Sequence, residues 1–301
     1  MTDNQRSFAE GPWLRLMMVA GDIGPARLKS LLAQFSDADG IFEAGRRACA
    51  SVVGEELSRR LFSDSLQQQA EDVAEWLKST PAAGIVSWMD EDFPREMMAF
   101  AGAPSLFLLR GRRELLLARR IAVAGAVRPD GEGLENAANF SSALVRAGRS
   151  VVTFLENETD AAVTRAALAS ENDGANGLIV LSATGPDRLY PSGMRELYHR
   201  AADRGLVMTP LTPGTAVSEH TLAQRLVVCA YLCPELLVVQ SEFAGKTQAL
   251  ARLFAENNRD VFVIPGSIHC ALYKGSHRLL REGARLTETV ADITQFGSET
   301  T

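Results

Sequence analysis

Cysteine and histidine are scarce in this sequence, which has 301 residues but only four of each. Cys229 and Cys233 lie four residues apart, a spacing that suits metal ligation, yet no His or Cys pair follows at zinc-finger spacing. The histidines do not pair at ligand spacing either. We therefore expect reduced, buried, structural cysteines in a cytoplasmic protein, and no metal site.

Long apolar runs and excess positive charge are also missing. No apolar stretch approaches the roughly 20 residues of a membrane-spanning helix, and the start, Met1–Gln5, lacks the basic and apolar regions of a secretory signal. Lys and Arg number 31 against 37 Asp and Glu, for a net charge of −6. This argues against a membrane partner and against a protein coated in nucleic-acid-binding charge, but it does not exclude a local basic groove.

Three familiar binding or catalytic motifs are incomplete. Gly245–Thr247 follows a strand, but a P-loop needs a glycine where Gln240 stands. Gly125, Gly131 and Gly133 have the wrong spacing for a dinucleotide fingerprint, and no Gly-x-Ser-x-Gly elbow is present. The sequence therefore predicts neither a bound cofactor nor enzymatic activity. Asp160 and Asp187 each follow a strand and suit either acid–base chemistry or helix capping.

What the sequence does contain is an alternation of strands and helices from Arg120 onward. The predicted strands are Ile121–Gly125, Val151–Phe154, Leu178–Leu181, Leu206–Met208, Leu236–Gln240 and Val261–Ile264. The predicted helices are Leu134–Ala147, Ala161–Ser170, Gly193–Arg204, Leu222–Tyr231 and Gln248–Asn257. Such alternation indicates an α/β fold, a Rossmann-like doubly wound and mostly parallel sheet, whose ligands bind at the carboxyl ends of the strands.

The N-terminal part has a different, helical pattern. Apolar residues recur at three- and four-residue spacing from Gly11 to about Lys78, and Ala20–Ala26 looks like a helix-hairpin-helix turn, which either holds a phosphate on free N–H groups or simply joins two packed helices. We predict a small all-helical domain (helix-hairpin-helix or SAM-like) over residues 1–79 and a Rossmann-like domain over residues 80–296. Strands at Ile85–Trp88 and Ser105–Gly111, and a helix at Glu114–Ala118, extend the second domain.

The order of these motifs resembles the DprA family, also called Smf, of bacterial DNA-processing proteins. The family's Val-Gly-Ser-Arg-Arg-Pro strand end is similar to Val123–Pro129, and its Gly-Thr-Gly-x-Asp-x-x-Tyr-Pro is similar to Ala183–Pro191. The resemblance runs from about Trp13 to Ile293 and also includes Gly21–Pro25, Ser87–Pro94, Thr153–Asp160, Arg225–Val227, Gly245–Thr247, Pro265–Gly266 and Gly275–Ala284.

The resemblance implies a non-catalytic protein that binds single-stranded DNA and loads a RecA-type recombinase on it in natural transformation. Family members often form homodimers through the sheet domain, and often add a C-terminal winged helix that we do not expect in this chain. The implied DNA-binding residues are Gly125, Arg128, Thr184, Gly185, Arg225, Gly245, Lys246, Thr247, Gly266, Gly275, His277 and Arg278. Of these, Arg128, Lys246 and Arg278 are expected to meet phosphates, and His277 to stack on a base or bond a phosphate.

Several positions depart from the family pattern. The first motif arginine is Val127 here, and the glycine nest, whose N–H groups would point at an anion, contains Phe154, Glu156 and Glu158. Further family positions are replaced at Leu226, Val227 and His277. Each change removes a donor or a charge, and Lys246 adds one. Two alternatives follow: a scaffold that has lost DNA binding and serves as a protein-interaction module, or a nucleotide-binding, phosphoribohydrolase-like domain, although Pro265–Ser267 stops short of that enzyme loop.

Overall fold

The chain, described by a computed structural model over residues 11–170 and 174–296, divides into two compact units. The first comprises Met1–Leu109, Gly185–Arg188 and Thr209–Ala216. The second comprises Arg110–Thr184, Leu189–Met208 and Val217–Thr301. The sequence placed the domain boundary after residue 79, whereas the compact units divide after Leu109.

Among the described residues of the first unit, five helices come first, and most of them bury an apolar stripe. Leu14, Met17, Leu31 and Ile41 are all buried, as their helical spacing predicts. The helices are α1 (Pro12–Ile23), α2 (Pro25–Phe35), α3 (Ala38–Val53), α4 (Glu55–Leu61) and α5 (Asp64–Ser79).

The turn between α1 and α2 is explained by packing within this unit. Gly24 has φ +83°, a conformation that favours glycine, and a Cβ on Gly21 would lie 2.3 Å from the Ala103 carbonyl oxygen. The Gly21 N–H donates to Ser105 Oγ at 2.7 Å, and that hydroxyl donates to the Met17 carbonyl at 2.6 Å. These bonds tie the segment after α5 to α1, which explains why the first unit continues beyond residue 79.

Two strands follow the helices, β1 (Ala83–Ser87) and β2 (Leu106–Gly111). The second unit then alternates strands and helices, confirming the predicted α/β fold. Its strands are β3 (Arg120–Ala124), β4 (Ser150–Thr153), β5 (Leu178–Leu181), β6 (Leu206–Thr209), β7 (Glu235–Val238), β8 (Asp260–Val263) and β9 (Arg285–Leu286). Its helices are α6 (Gly131–Arg146), α7 (Glu158–Ser170), α8 (Arg195–Arg204), α9 (Glu219–Leu232), α10 (Lys246–Glu256), α11 (Lys274–Arg281) and α12 (Ala291–Thr294).

The order of these seven strands is β6-β5-β4-β3-β7-β8-β9, and every neighbouring pair is parallel. Ile121 of β3 pairs with Val151 of β4 on one side and with Glu235 of β7 on the other. The chain therefore runs outward from β3 through β4, then returns to the other side of β3 at β7. That reversal is the topological switch point at which doubly wound sheets bind ligands.

Buried side chains lie on both faces of this sheet, with Ala122, Val152 and Leu236 on the face opposite to the largest cluster. Ile121, Val123 and Val180 are fully buried together with Ala137 of α6 and Leu168 of α7. Because helices cover both faces, the strands need no polar alternation and read as continuous apolar runs. This pattern is what made the strands visible in the sequence.

Some elements differ from prediction. Three elements, α11, β9 and the four-residue α12, were not predicted. The buried face of α11 carries Gly275 and Ser276, which hides its periodicity, and both residues of β9 are exposed. The helix predicted at Glu114–Ala118 is a short 3-10 turn at Arg113–Leu116. Most other bounds shift by one to three residues.

Candidate nucleic-acid interface

A small cavity lies at the switch point, beside the carboxyl ends of β3, β4 and β7. Its volume is about 100 Å³. We call it the switch-point pocket. Its lining includes Gly125, Phe154, Glu156, Asn157, Asp160, Arg225, Lys246 and Thr247. Four of these residues were predicted to bind DNA, so the fold brings them together from β3, α9 and α10.

Glu156 holds both cations of the switch-point pocket. Its Oε2 accepts from Arg225 Nη2 and its Oε1 accepts from Lys246 Nζ. The Arg225 and Glu156 side chains are 3% and 12% exposed, whereas that of Lys246 is 54% exposed. The buried pair is therefore shielded from solvent, and Lys246 closes the pocket from outside.

Arg225 is fixed by an aromatic contact as well. Its guanidinium carbon lies 4.4 Å from the centroid of the Phe154 ring. Its Nε is buried and has no hydrogen-bond partner in the described part of the chain. Arginine stacks on an aromatic face while its outer nitrogens bind an anion, a combination that lysine cannot reproduce. The pocket therefore presents a rigid cation with one donor to spare.

The two carboxylates at the start of α7 behave differently. Burial alone would raise the pKa of Glu156, but the Lys246 hydrogen bond and the Arg225 charge hold it below its ordinary value. Asp160 is fully buried, and this burial raises its pKa to about 6 even though it accepts the Glu156 N–H at 2.8 Å. Asp160 thus fixes the backbone of Glu156 and is a buried part of the pocket lining.

The loop before α10 forms one wall of the pocket. Gly245 has φ +130° and precedes the helix that begins at Lys246. The Thr247 hydroxyl donates to the Gly125 carbonyl at 2.7 Å, and a Cβ on Gly125 would lie 2.7 Å from side-chain atoms of both Thr159 and Val239. Gly125 is required here because β3 and α7 approach each other too closely for a side chain.

Four other predicted residues form a second cluster around the start of α11. A Cβ on Gly266 would lie 2.3 Å from the Tyr273 ring, and one on Gly275 would lie 1.9 Å from the Glu242 carbonyl oxygen. His277 Nε2 lies 3.0 Å from the Gly266 carbonyl oxygen. The glycines allow close packing of this loop, and His277 helps to hold it.

Arg278 belongs to the same cluster and contacts a residue that sequence reasoning missed. Its Nε donates to Glu282 at 2.7 Å, and its guanidinium carbon lies 5.2 Å from the Phe243 ring centroid. Phe243 is 59% exposed. The only available signal was an aromatic residue in a turn otherwise made of small and polar residues.

Three predicted residues lie outside both clusters. Arg128 is exposed and makes no hydrogen bond or ion pair with any residue in the described ranges. Thr184 is buried, with its hydroxyl 3.0 Å from that of Ser182. Gly185 belongs to the first unit, where its N–H donates to the Thr215 carbonyl. Of the three, Arg128 is the one that presents a charge to solvent.

Several other polar and charged side chains make contacts that stabilise the fold. Gln240 is buried and donates to Asp130 at 2.9 Å, which joins β7 to the cap of α6. Arg119 pairs with buried Glu235 at 2.7 Å, and Arg120 donates to the Leu232 carbonyl. Arg119 and Arg120 therefore serve structural contacts within the second unit.

The four cysteines are free thiols, and the described residues contain no cluster of His, Cys, Asp or Glu suited to a metal ion. Asp187, considered above for acid–base chemistry or capping, accepts the Gly214 N–H at 2.9 Å within the first unit. None of the helices in the described ranges has the length and apolarity that a membrane crossing requires.

The fold is that of a doubly wound α/β protein, and the pocket at its switch point brings two cationic side chains together. A family model for DNA recombination-mediator protein A matches residues 84–298. Because this match covers more than half of the chain, the chain belongs to the DNA recombination-mediator protein A family.

Curated relatives agree with this assignment. DNA processing protein DprA of Streptococcus pneumoniae is 28% identical over 207 residues, which cover 69% of this chain and 72% of the relative. Putative DNA processing protein DprA of Mycobacterium tuberculosis is 29% identical over 273 residues, covering 85% and 68%. Protein Smf of Escherichia coli is 23% identical over 293 residues, covering 95% and 75%.

Two solved structures share the fold. DNA processing protein A from S. pneumoniae superposes with a TM-score of 0.74 at 23% identity, covering 93% of this chain and 95% of that one. DNA processing protein A from Helicobacter pylori, solved to describe its single-stranded DNA binding mode, gives a TM-score of 0.62 at 17% identity, covering 72% and 96%. Both likenesses confirm the Rossmann-like architecture.

Proposed function

We propose that this chain is a DNA-processing protein that binds single-stranded DNA at the switch-point edge of its second unit and catalyses no reaction on it. The observation that carries the proposal is the convergence of Arg225 and Lys246 in one small pocket at that edge. Family membership supports the DNA ligand, and so does the likeness to the H. pylori protein named for its single-stranded DNA binding mode.

The charges around the pocket set the expected affinity. Lys246 pairs with Glu156 and Arg278 pairs with Glu282, whereas Arg128 is exposed without an acidic partner in the described ranges. Phosphate contacts supply most sequence-independent affinity, and each one makes binding weaker as salt rises. We therefore expect modest, salt-sensitive binding in which Arg128 gives the first contact.

Non-catalytic action fits the chemistry near the pocket. Asp160 is the pocket carboxylate that the sequence suggested for acid–base chemistry. It is fully buried, and it accepts hydrogen bonds from the Thr153 hydroxyl and the Glu156 N–H. Its carboxylate oxygens are therefore engaged in holding the turn. We further propose a cytoplasmic location, delivery of the bound strand to a RecA-type recombinase, and a homodimeric state; family membership supports each of these.

Fluorescence anisotropy with labelled oligo-dT, titrated at low and at physiological salt, tests the proposal. Removing two phosphate contacts in Arg128→Ala/Lys246→Ala should weaken binding about equally on all sequences and lower the salt slope by roughly 0.7 per contact. Arg146→Ala is the matched control, because Arg146 is exposed in the last turn of α6, where the chain leads into the opposite end of β4. No binding by the unmodified chain at low salt would reject the proposal.

The second candidate is a protein-interaction module that no longer binds DNA. The Glu156 ion pairs favour it, because the pocket cations are already neutralised within the chain. If oligo-dT does not bind at low salt, pull-downs with the full chain become the informative experiment, and a stoichiometric protein partner would support this second function.

A further inference from the structure

We propose that the Glu156 carboxylate occupies the phosphate position of the switch-point pocket, so that a DNA phosphate reaches Arg225 and Lys246 only by displacing it. This inference rests on the proposed function and adds its regulation: the chain carries an internal competitor for its own ligand. From the sequence alone, Glu156 was expected only to place an unfavourable negative charge near the phosphate.

The contacts of Glu156 are those that a phosphate would make. Each carboxylate oxygen accepts from one cation, Oε2 from Arg225 and Oε1 from Lys246. Arginine forks recognise carboxylate and phosphate with the same planar, two-bond geometry. A nucleic-acid phosphate and the Glu156 carboxylate therefore compete for the same donors and cannot both be bound.

The pocket has capacity beyond its present occupant. Arg225 Nε is buried and lacks a partner in the described ranges, and the pocket volume of about 100 Å³ corresponds to roughly three water molecules. That space is enough for one phosphate group. A phosphate has more acceptor oxygens than a carboxylate, so it can also satisfy the remaining donor.

The local backbone holds Glu156 in place while leaving its side chain free to move. Leu155, just before it, is buried with φ +55°, a conformation that non-glycine residues rarely adopt. The Glu156 N–H is fixed by Asp160 at 2.8 Å, and the Asp160 N–H donates to Asn157 at 3.0 Å. Displacement then needs only rotation of the Glu156 side chain, with the turn unchanged.

A phosphate can bind in the pocket only when the Glu156 side chain has moved away from the two cations. The apparent affinity for DNA is therefore reduced in proportion to the fraction of molecules in that open state. Glu156→Gln removes the charge at nearly constant volume and should open the pocket. Glu158→Gln is the matched control, because Glu158 is exposed, lies two residues away and makes no contact with a described charged group. Both variants change the net charge equally.

The experiment measures oligo-dT affinity across salt for the unmodified chain and both variants. Glu156→Gln should bind about fivefold or more tightly at low salt, because no carboxylate has to be displaced from the two cations. Glu158→Gln should change affinity less than about twofold. Equal gains for the two variants, or no gain for Glu156→Gln, would overturn the inference while leaving the proposed function intact.

Two further measurements test the inference even if Glu156→Gln folds poorly or does not bind DNA. Glu156→Asp keeps the charge but retracts the carboxylate by one methylene, so it cannot hold both cations and should also tighten binding. Inorganic phosphate should raise the thermal midpoint of Glu156→Gln, since a ligand of the folded state stabilises it, but not that of Glu158→Gln.

Failure of all variants to bind oligo-dT, with no stabilisation by phosphate, overturns both proposals. Binding by the Glu156 variants alone supports the inference and rejects DNA binding by the unmodified chain.

Discussion

The guanidinium of Arg225 lies over the ring of Phe154, with its carbon 4.4 Å from the ring centroid. Phe154 follows β4 and Arg225 lies in α9, so this contact joins two elements that are far apart in the chain. The ring orients the guanidinium toward Glu156, and the ion pair keeps the buried charge compensated. The site therefore depends on three residues acting together.

Removing Arg225 should destabilise the fold. Arg225→Ala leaves the shielded Glu156 carboxylate with Lys246 alone, and loss of one partner of a buried pair costs about 3 to 5 kcal/mol. Urea unfolding measures this change. Arg146→Ala, at an exposed site, should stay within about 0.5 kcal/mol.

The double variant Arg225→Ala/Glu156→Ala should recover part of that loss, because no carboxylate then remains to be compensated. The expected coupling between the two sites is about 1 kcal/mol or more. Strict additivity of the two single changes would show that the pair contributes little to stability.

Lowering the pH should stabilise the fold through protonation of the buried Asp160 carboxyl. Its pKa is raised from 3.8 to about 6 by burial, so the folded state binds this proton more tightly than the unfolded state does. Ionised Asp160 then costs stability above pH 6, and this cost disappears as the pH falls from about 6 toward 4. Relative to Asp160→Asn, the unmodified chain should gain thermal stability between pH 7 and pH 5. If the difference in thermal stability between the unmodified chain and Asp160→Asn does not change with pH, the raised pKa of Asp160 is contradicted.

Gly266 should not tolerate a side chain. A Cβ there would lie 2.3 Å from the Tyr273 ring, and Tyr273 is fully buried and cannot move freely. Gly266→Ala should lower the free energy of unfolding by about 1 to 3 kcal/mol. Gly193→Ala is the control, because a Cβ at Gly193 meets nothing within 4 Å. Similar unfolding midpoints for the two variants would show that the loop relaxes around the added methyl group.

Phe243 should contribute to single-strand binding under the proposed function. It is 59% exposed and contacts Arg278, an arrangement on which a base can stack. Aromatic stacking contributes about 1 to 3 kcal/mol per base, so Phe243→Ala should weaken oligo-dT binding about fivefold or more without changing the salt slope. Leu286→Ala removes a side chain of similar exposure, 54%, and should leave affinity unchanged. Equal losses in the two variants would exclude a stacking contact.

The sequence alone determined the second unit well. Its strands are buried on both faces, so Ile121–Val123 and Leu236–Val238 stand out as apolar runs, and the helices between them have the expected length. Local pattern also identified the turns at Gly125, Gly245 and Gly266. What it missed were α11, whose buried face is made largely of small residues, the four-residue α12, and the two exposed residues of β9.

Only the tertiary structure decided how the charges are used. The sequence marked Glu156 as a charge that repels phosphate and Lys246 as one that attracts it. It could not show that they pair with each other and with Arg225, because the three residues lie up to 90 positions apart. Strand order brings them together at the switch point, and burial strengthens their interaction. Sequence fixes which charges are present, but the distance between them, and hence their net effect on a ligand, is a property of the folded chain.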